Sequence, residues 1–310
     1  MESVGEPSGV SRRLMLRCIG LATALFCIPG LTLAQEKTLA DRLMPLIQAH
    51  RGKVGIAILH LDDGVSFEYD GDEEMPTASL IKFMIMLEVY QQIEEGRIKL
   101  TDTIVLREAD KVPGSGILTY HFSDGATFPL RDAVRLMIAF SDNTATNLVL
   151  DHIGINSTNR RMTDWGFPNS RINAKVYKGD TTSVDPARTK KFGLGSTTAK
   201  ETVALLKKLH EGKAANKENT KEMLDHLKKC EDKDKLKRYL PAGVTVAHKS
   251  GTVSDARTDA GIMYFPGGPV AICVLTAKNE DRRFHVDNDG NVFIGRVAEQ
   301  VYLHFVKTKK

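Results

Sequence analysis

The chain has 310 residues, with 43 lysines and arginines against 39 aspartates and glutamates, a formal net charge of +4. Hydrophobic residues make up 42% and charged residues 26%, with 25 glycines and 11 prolines. These are globular proportions, and they exclude a disordered, collagenous or low-complexity chain. The small positive balance, interspersed along the sequence, is too mild to argue for a nucleic-acid partner.

The first elements in chain order belong to export. Arg12, Arg13 and Arg17 precede or enter an apolar run, Cys18 to Leu33, which ends in Leu33-Ala34 before Gln35. A basic start, an apolar middle and small residues at the exit are the marks of a secretory signal peptide, here with cleavage near Ala34. Pro29-Gly30 breaks the run, which argues against a stable membrane span; an uncleaved anchor is the other reading. Ser11-Arg12-Arg13-Leu14-Met15-Leu16 also resembles a twin-arginine signal. The expectation is a signal peptide over residues 1–34 and an exported body over 35–310, periplasmic or secreted.

Within the body, Leu39–Arg51 has helical spacing of apolar residues and stops at Gly52. Val54–Leu61 alternates like a strand, and Asp62-Asp63-Gly64 turns it back into Val65–Tyr69 as a hairpin. From Ser79 to Leu240 the pattern is mostly helical. The predicted helices are Leu80–Glu95, Leu130–Phe140, Thr144–Ile153, Thr198–His210 (with Glu201 at a capping-box position) and Thr220–Lys229. Strands return at Thr245–Lys249, Thr258–Phe265 and Val270–Ala277, and Val292–Val306 closes the chain as a helix.

Strand-rich ends around a helical block predict an α+β fold, an α/β sandwich with a helical insertion. An antiparallel sheet flanked by the N- and C-terminal helices forms one lobe (35–78 with 241–310). An all-α lobe (79–240) forms the other. The lysine-rich stretch 213–237 reads as solvated helix surface. Cys230 and Cys273 sit in different settings, which argues against a disulfide. No Cys/His spacing resembles a metal site. His60, His121, His210, His226 and His304 read as surface or element-end residues.

Three motifs carry chemistry. Ser79-Leu80-Ile81-Lys82 opens the long helix; residues i and i+3 share a face, so the Lys82 amine reaches the Ser79 hydroxyl. A serine hydroxyl needs a neighbouring base, and a lysine serves once burial and nearby positive charge lower its pKa. Ser141-Asp142-Asn143 is a polar turn between two helices. Lys249-Ser250-Gly251 ends a strand, and its glycine lets a substrate approach the backbone edge. Each alone is weak.

In this order and at these separations the set resembles the S-x-x-K, S-D-N and K-[ST]-G motifs of class A β-lactamases and penicillin-binding proteins. The likeness extends through Leu130-Arg131-Asp132 to Asn147-Leu148 and covers nearly all of the body, implying a β-lactamase/transpeptidase-like fold. It implies that Ser79 is the acylated nucleophile and that Lys82 accepts its proton. Ser141 would relay a proton to the leaving nitrogen with help from Lys249. Asn143 would hold the substrate amide and position Lys82. The N–H groups of Ser79 and Thr252 would form the oxyanion hole. Ser250, Gly251, Thr252 and Arg257 would line the subsite for the substrate carboxylate. The substrate would be a β-lactam or a cell-wall peptide, with no cofactor or metal, and the protein a monomer.

One departure stands out. Class A β-lactamases carry a glutamate, in an E-x-x-x-N pattern, in the loop before Thr197-Thr198, where it activates the deacylating water. Counting from Ser141 puts that position near Val176, and counting back from Thr197-Thr198 puts it near Ser183. No glutamate occurs between Asp164 and Lys200; Asp180, the only carboxylate between the two estimates, is the candidate substitute base, with a loop-surface aspartate as the plainer reading. A second feature, Val112-Pro113-Gly114-Ser115-Gly116-Ile117-Leu118, resembles the loop before S-D-N in a branch of exported serine hydrolases. The expectation is a β-lactam hydrolase acylated at Ser79. A D,D-peptidase acting on D-Ala-D-Ala peptides and an acylated sensor are the other readings.

Overall fold

The computed structural model describes residues 37–306; the predicted signal peptide lies outside the described residues. The chain order is α1 (Leu39–Ala49), β1 (Lys53–His60), β2 (Ser66–Tyr69), α2 (Ile81–Glu94), α3 (Leu130–Ala139), α4 (Asn143–Ile153), α5 (Ile155–Asp164), α6 (Ala199–His210), α7 (Lys217–Lys228), β3 (Thr245–Val253), β4 (Ala256–Phe265), β5 (Gly268–Ala277) and α8 (Asp289–Phe305), with shorter pieces between them. The main sheet is antiparallel throughout, in the order β2-β1-β5-β4-β3. Among the described residues, no helix is long and apolar enough to cross a membrane.

Period-two alternation divides the sheet between two cores. Val54, Ile56 and Ile58 of β1 and Val270, Ile272 and Val274 of β5 face α1 and α8, packing with Leu43, Ile47, Ile294 and Val301. Their neighbours Ala57, Ala271, Cys273 and Leu275 join the other core, with Ala247 and Ala260 and with the helices between the two strand groups. Side chains on that second face are mostly small, so α6 packs directly on β1, β4 and β5. Thr38 caps α1 in a reciprocal box with Asp41. Cys230 and Cys273 are free and buried.

Helix α2 is buried on nearly every side and lies in the middle of the helical core. Two charged groups on it are buried: Lys82, which lies beside Ser141, and Glu88, which is held by Arg161 and Gln92. Burying a charge is costly unless it is paired, so the Glu88–Arg161 pair fixes α5 against α2. Sequence periodicity misses α5 because its buried face includes Thr158 and Asn159 beside Ile155 and Met162.

Several local expectations change. Thr198 caps α6, but Glu201 does not reciprocate; its carboxylate takes Asn169 and Ser170 and anchors the start of the loop before α6. His60 and His226 lie at element ends yet are buried. The end of the lysine-rich stretch is not solvated surface. It folds inward and buries Lys235.

Candidate active site

Ser79 lies in a single 3-10 turn, Ala78–Leu80, that leads into α2. The preceding residue, Ala78, has φ +46°, a conformation that costs a non-glycine residue of order 1–3 kcal/mol. The turn is stitched in place from both sides. Thr258 Oγ1 of β4 donates to the Thr77 carbonyl at 2.8 Å, and Thr77 N–H donates to the Gly195 carbonyl at 3.0 Å.

Strand β3, an edge of the sheet, runs against this turn because residue 251 is glycine. A Cβ there would stand 2.6 Å from the Thr77 oxygen and 2.8 Å from the Ser79 nitrogen. Gly251 thus brings the β3 backbone up to the Ser79 N–H.

Lys82 is fully buried. Its Nζ donates to the Ser141 carbonyl (2.6 Å), the Ser141 hydroxyl (3.2 Å) and Asn143 Oδ1 (2.9 Å). Burial, reinforced by the charge of Lys249 and only partly offset by Asp142, pushes its pKa well below that of an ordinary lysine. Lys249, also buried, donates to the same Ser141 hydroxyl at 3.2 Å and to the Ser250 carbonyl at 2.6 Å. Burial lowers its pKa too, while Cys230, Asp232 and Asp259 work to keep it protonated. One hydroxyl therefore stands between two amines. Ser141 reaches that position with φ +54°, another left-handed non-glycine residue.

The Val112–Leu118 loop is the support for this turn. Asp142 caps α4 through Ala145 N–H and accepts the N–H groups of Ile117 and Leu118 at 2.7 and 2.9 Å. Asn143 donates to the Pro113 carbonyl through Nδ2 and to the Ser115 carbonyl through its backbone. Gly116, at φ +118°, is required here, since a Cβ would collide with Asp142 at 2.3 Å.

Ser79, Asn143, Thr252, Val176, Tyr177 and Phe284 are among the residues lining a cleft of about 1050 Å³. Hydrogen bonds join Lys82, Ser141, Asn143 and Lys249, and Ser79 lines the same cleft as Asn143; Lys82 gives its three hydrogen bonds to Ser141 and Asn143, not to the Ser79 hydroxyl that the motif spacing put within its reach. Thr252 is exposed at the cleft. Arg257 is not available to a ligand: its guanidinium is buried, donates to the carbonyls of Val253, Ala256 and Arg283, and lies under the Phe284 ring. Ser250 gives its hydroxyl proton to Asp232 at 2.7 Å.

In the loop, Val176 is held by two hydrogen bonds with the Asn147 side chain, Nδ2 to O at 3.0 Å and N to Oδ1 at 2.9 Å, and lines the cleft. Val176, the position reached by counting from Ser141, is one of several loop residues on the cleft, with Ala174, Lys175, Tyr177 and Gly179. Beyond Val176 the loop continues through a turn at Gly179–Thr182 and a helix at Pro186–Phe192. Asp180 sits in that turn with its side chain exposed, and Asp185 is spent capping the short helix.

The family model described as the β-lactamase enzyme family matches residues 37–305. The chain belongs to the β-lactamase enzyme family. A β-lactamase from Sphaerobacter thermophilus has 31% identity and a TM-score of 0.75, covering 86% of this chain and 96% of that one. A β-lactamase of Streptomyces cellulosae is 28% identical over 269 residues, 84% of this chain and 83% of the relative. PBP-A is 26% identical with a TM-score of 0.76, covering 87% and 96%, and a leucine-to-glutamate variant of it has been solved as an acyl-enzyme with penicillin G. This β-lactamase-like serine hydrolase has the mixed fold read from its sequence.

Two residues at the site escape sequence reasoning. Asp232 and Lys235 sit in what looks like a charge run, and nothing in the one-dimensional pattern separates them from surface lysines and aspartates. The fold brings Asp232 to Ser250 at 2.7 Å, and Lys235, three residues on, pairs with the same carboxylate at 2.6 Å.

Proposed function

We propose that this protein is acylated at Ser79 by β-lactams and releases the acyl group slowly. The observation that carries the reading is the Ser141 hydroxyl held by both Lys82 and Lys249 beside the Ser79 turn. Lys82, its pKa lowered, takes the Ser79 proton as the Ser79 oxygen attacks the lactam carbonyl. The N–H groups of Ser79 and Thr252 stabilise the oxyanion. Ser141 gives its proton to the departing nitrogen and recovers one from the lysines beside it. Asn143 keeps Lys82 in place.

Deacylation then needs a base for water. Val176 is apolar, and Asp180 faces solvent, so the loop supplies no carboxylate to the cleft. General-base catalysis is worth roughly 10²–10⁴-fold, and its loss sets how slowly the adduct turns over. A D,D-peptidase acting on cell-wall peptides shares the same acylation step. We further propose export through residues 1–34, with 35–310 acting outside the cytoplasm as one monomeric catalytic body of an α/β lobe and a helical lobe.

Incubation with nitrocefin followed by intact-mass measurement tests this. The expected result is a stoichiometric adduct that persists for many minutes and is absent from Ser79→Ala. Fast steady turnover without adduct would refute slow release, and labelling of Ser79→Ala would refute the nucleophile.

A further inference from the structure

The cleft that holds Ser79 continues past Thr252 across the ends of the sheet strands. Thr252 ends β3, Asp255 lies in the turn into β4, Lys278 follows β5 and Lys53 opens β1, and all four line it. Lys53 pairs in register with Ala277, so Lys53 and Lys278 stand side by side. Neighbouring strands lie about 4.8 Å apart, and the strand order puts Lys278 and Lys53 roughly 10–14 Å from Thr252. The short helix Pro186–Phe192 adds Lys190 and Lys191 to the same cleft from its last turn.

The carboxylates nearby are already engaged. Glu74 pairs with Arg188, and Glu73 pairs with Lys53 at 2.5 Å. The Lys53 hydrogen bond, helped by the charges of Lys53, Lys191 and Lys278 and opposed by slight burial, holds the Glu73 carboxyl below its ordinary value. Three ammonium groups therefore act on one carboxylate. The charge of Asp255 acts on the buried Arg257 guanidinium. Lys190, Lys191 and Lys278 form no ion pair among the described residues, and all three are exposed. Lys278 holds φ +54°, as Ala78 and Tyr177 on the same cleft hold +46° and +55°. Left-handed non-glycine residues are costly and cluster at functional sites.

We propose that this lysine-lined end of the cleft is a second anion subsite, which receives a carboxylate carried by the acyl part of the substrate. The inference deepens the reading of acylation at Ser79 and rests on it. Ser141 serves the leaving nitrogen, so the acyl part of a bound substrate runs the other way, along the Thr252 edge toward Lys278. The substrate class is an amide or lactam with an acidic acyl chain, as an acidic peptide has. One exposed ion pair is worth little, but several ammonium groups around one carboxylate act together.

The test uses 6-aminopenicillanic acid acylated with succinate, adipate or suberate, each with the far carboxyl free or as its methyl ester. Second-order acylation of Ser79 is read by intact mass, and the acid-to-ester ratio is taken. The ratio is expected to reach roughly three- to tenfold for at least one chain length, the worth of two or three exposed ion pairs, and to fall toward one in about 1 M salt. Lys190→Gln/Lys191→Gln/Lys278→Gln is expected to bring the ratio to about one and to leave the ester's rate constant within about twofold, as exposed substitutions do. Lys213→Gln/Lys217→Gln/Lys229→Gln removes the same charge from exposed lysines off the cleft, and is expected to keep the wild-type ratio.

A ratio of one at every chain length in the wild type overturns the proposal. So does an equal loss in both triple variants, which would mark the net charge of the protein instead of a subsite. Should the cleft variant also lose acylation by the ester, Lys190→Gln/Lys278→Gln decides, and an unchanged ratio there overturns the proposal. Absence of any adduct from acid and ester alike would overturn acylation at Ser79 itself, and the subsite with it.

Discussion

Two lysines from different elements meet one hydroxyl on one side of the cleft. Lys82 comes from the long central helix and Lys249 from the edge strand; both are buried, each 3.2 Å from the Ser141 oxygen, and both are supported by further partners. On the other side, the 173–185 loop offers the cleft Val176, its backbone fixed by Asn147, and turns Asp180 to solvent. Both regions are well tied down by hydrogen bonds, so the contrast is one of chemistry and not of order. The first is equipped to move protons during acylation. The second shapes the cleft without supplying a base. A serine hydrolase cycle needs both, and this fold has invested its buried charge in one half.

The largest expected effect comes from dismantling the equipped half. Lys82→Ala should slow acylation by nitrocefin by roughly 10²–10⁴-fold, the usual worth of a general base, read by stopped-flow mixing and by adduct mass. A loss below tenfold would mean that another group takes the Ser79 proton. Next comes an attempt to erase the contrast. Val176→Glu, placed where the backbone is already held toward the cleft, should speed deacylation by about 10²-fold or more while changing acylation less. Asp180→Asn, at an exposed position in the following turn, should change neither step. If Asp180→Asn slows deacylation instead, the two regions are less different than the geometry says.

A smaller effect concerns the two lysines themselves. Lys82 must be neutral to act as base, so acylation rises with pH through its lowered pKa. Burial causes most of that lowering, and the charge of Lys249 adds to it. Lys249→Met removes the added part, so the acidic limb of the acylation profile should move to higher pH, beyond the general loss of rate. An unmoved limb would show that burial alone tunes Lys82.

How much of this was legible beforehand follows from the same contrast. Ser79, Lys82, Ser141 and Lys249 announce themselves because each sits in a short motif whose spacing reflects a local requirement, a shared helix face or a turn. The sheet and its flanking helices announce themselves through plain alternation and helical spacing. Asp232 could not be read, because its contact with Ser250 joins residues distant in sequence, and its local pair with Lys235 looks in one dimension like any pair in a charge run. The same holds for Arg257: an arginine near K-S-G looks available to an anion, and only the backbone carbonyls of Val253 and Arg283 show that it is not. Glu201 fits a capping box by position, yet Asn169 and Ser170 compete for it and win. Local rules found what is locally determined.

The smallest predicted effect probes what lies beneath the acylation half. His248, buried on β3 next to Lys249, pairs with Asp259 of β4 at 2.9 Å. Burial opposes its charge, but Asp259 and Cys230 outweigh this and raise its pKa to about 10. The Cys230 thiol beside it moves the other way. Burial would raise it, and the charge of His248 brings it down to about 7. The two groups tilt stability in opposite directions. His248, raised from an ordinary value near 6.5, stabilises the fold fully at low pH, and the contribution is lost as pH rises toward 10. Cys230, lowered from an ordinary value near 9, stabilises the fold above pH 9, and that contribution is lost as pH falls through 7. Between pH 7 and 9 the slopes oppose each other, and the wild type should show little net change. Cys230→Ala deletes one slope. Its unfolding free energy should fall from pH 7 to pH 9 by on the order of 1 kcal/mol more than the wild type's, measured by urea titration at both pH values. Parallel behaviour of the two proteins would mean that the thiol is not coupled to His248, and that Lys249 is kept charged by Asp232 and Asp259 without it.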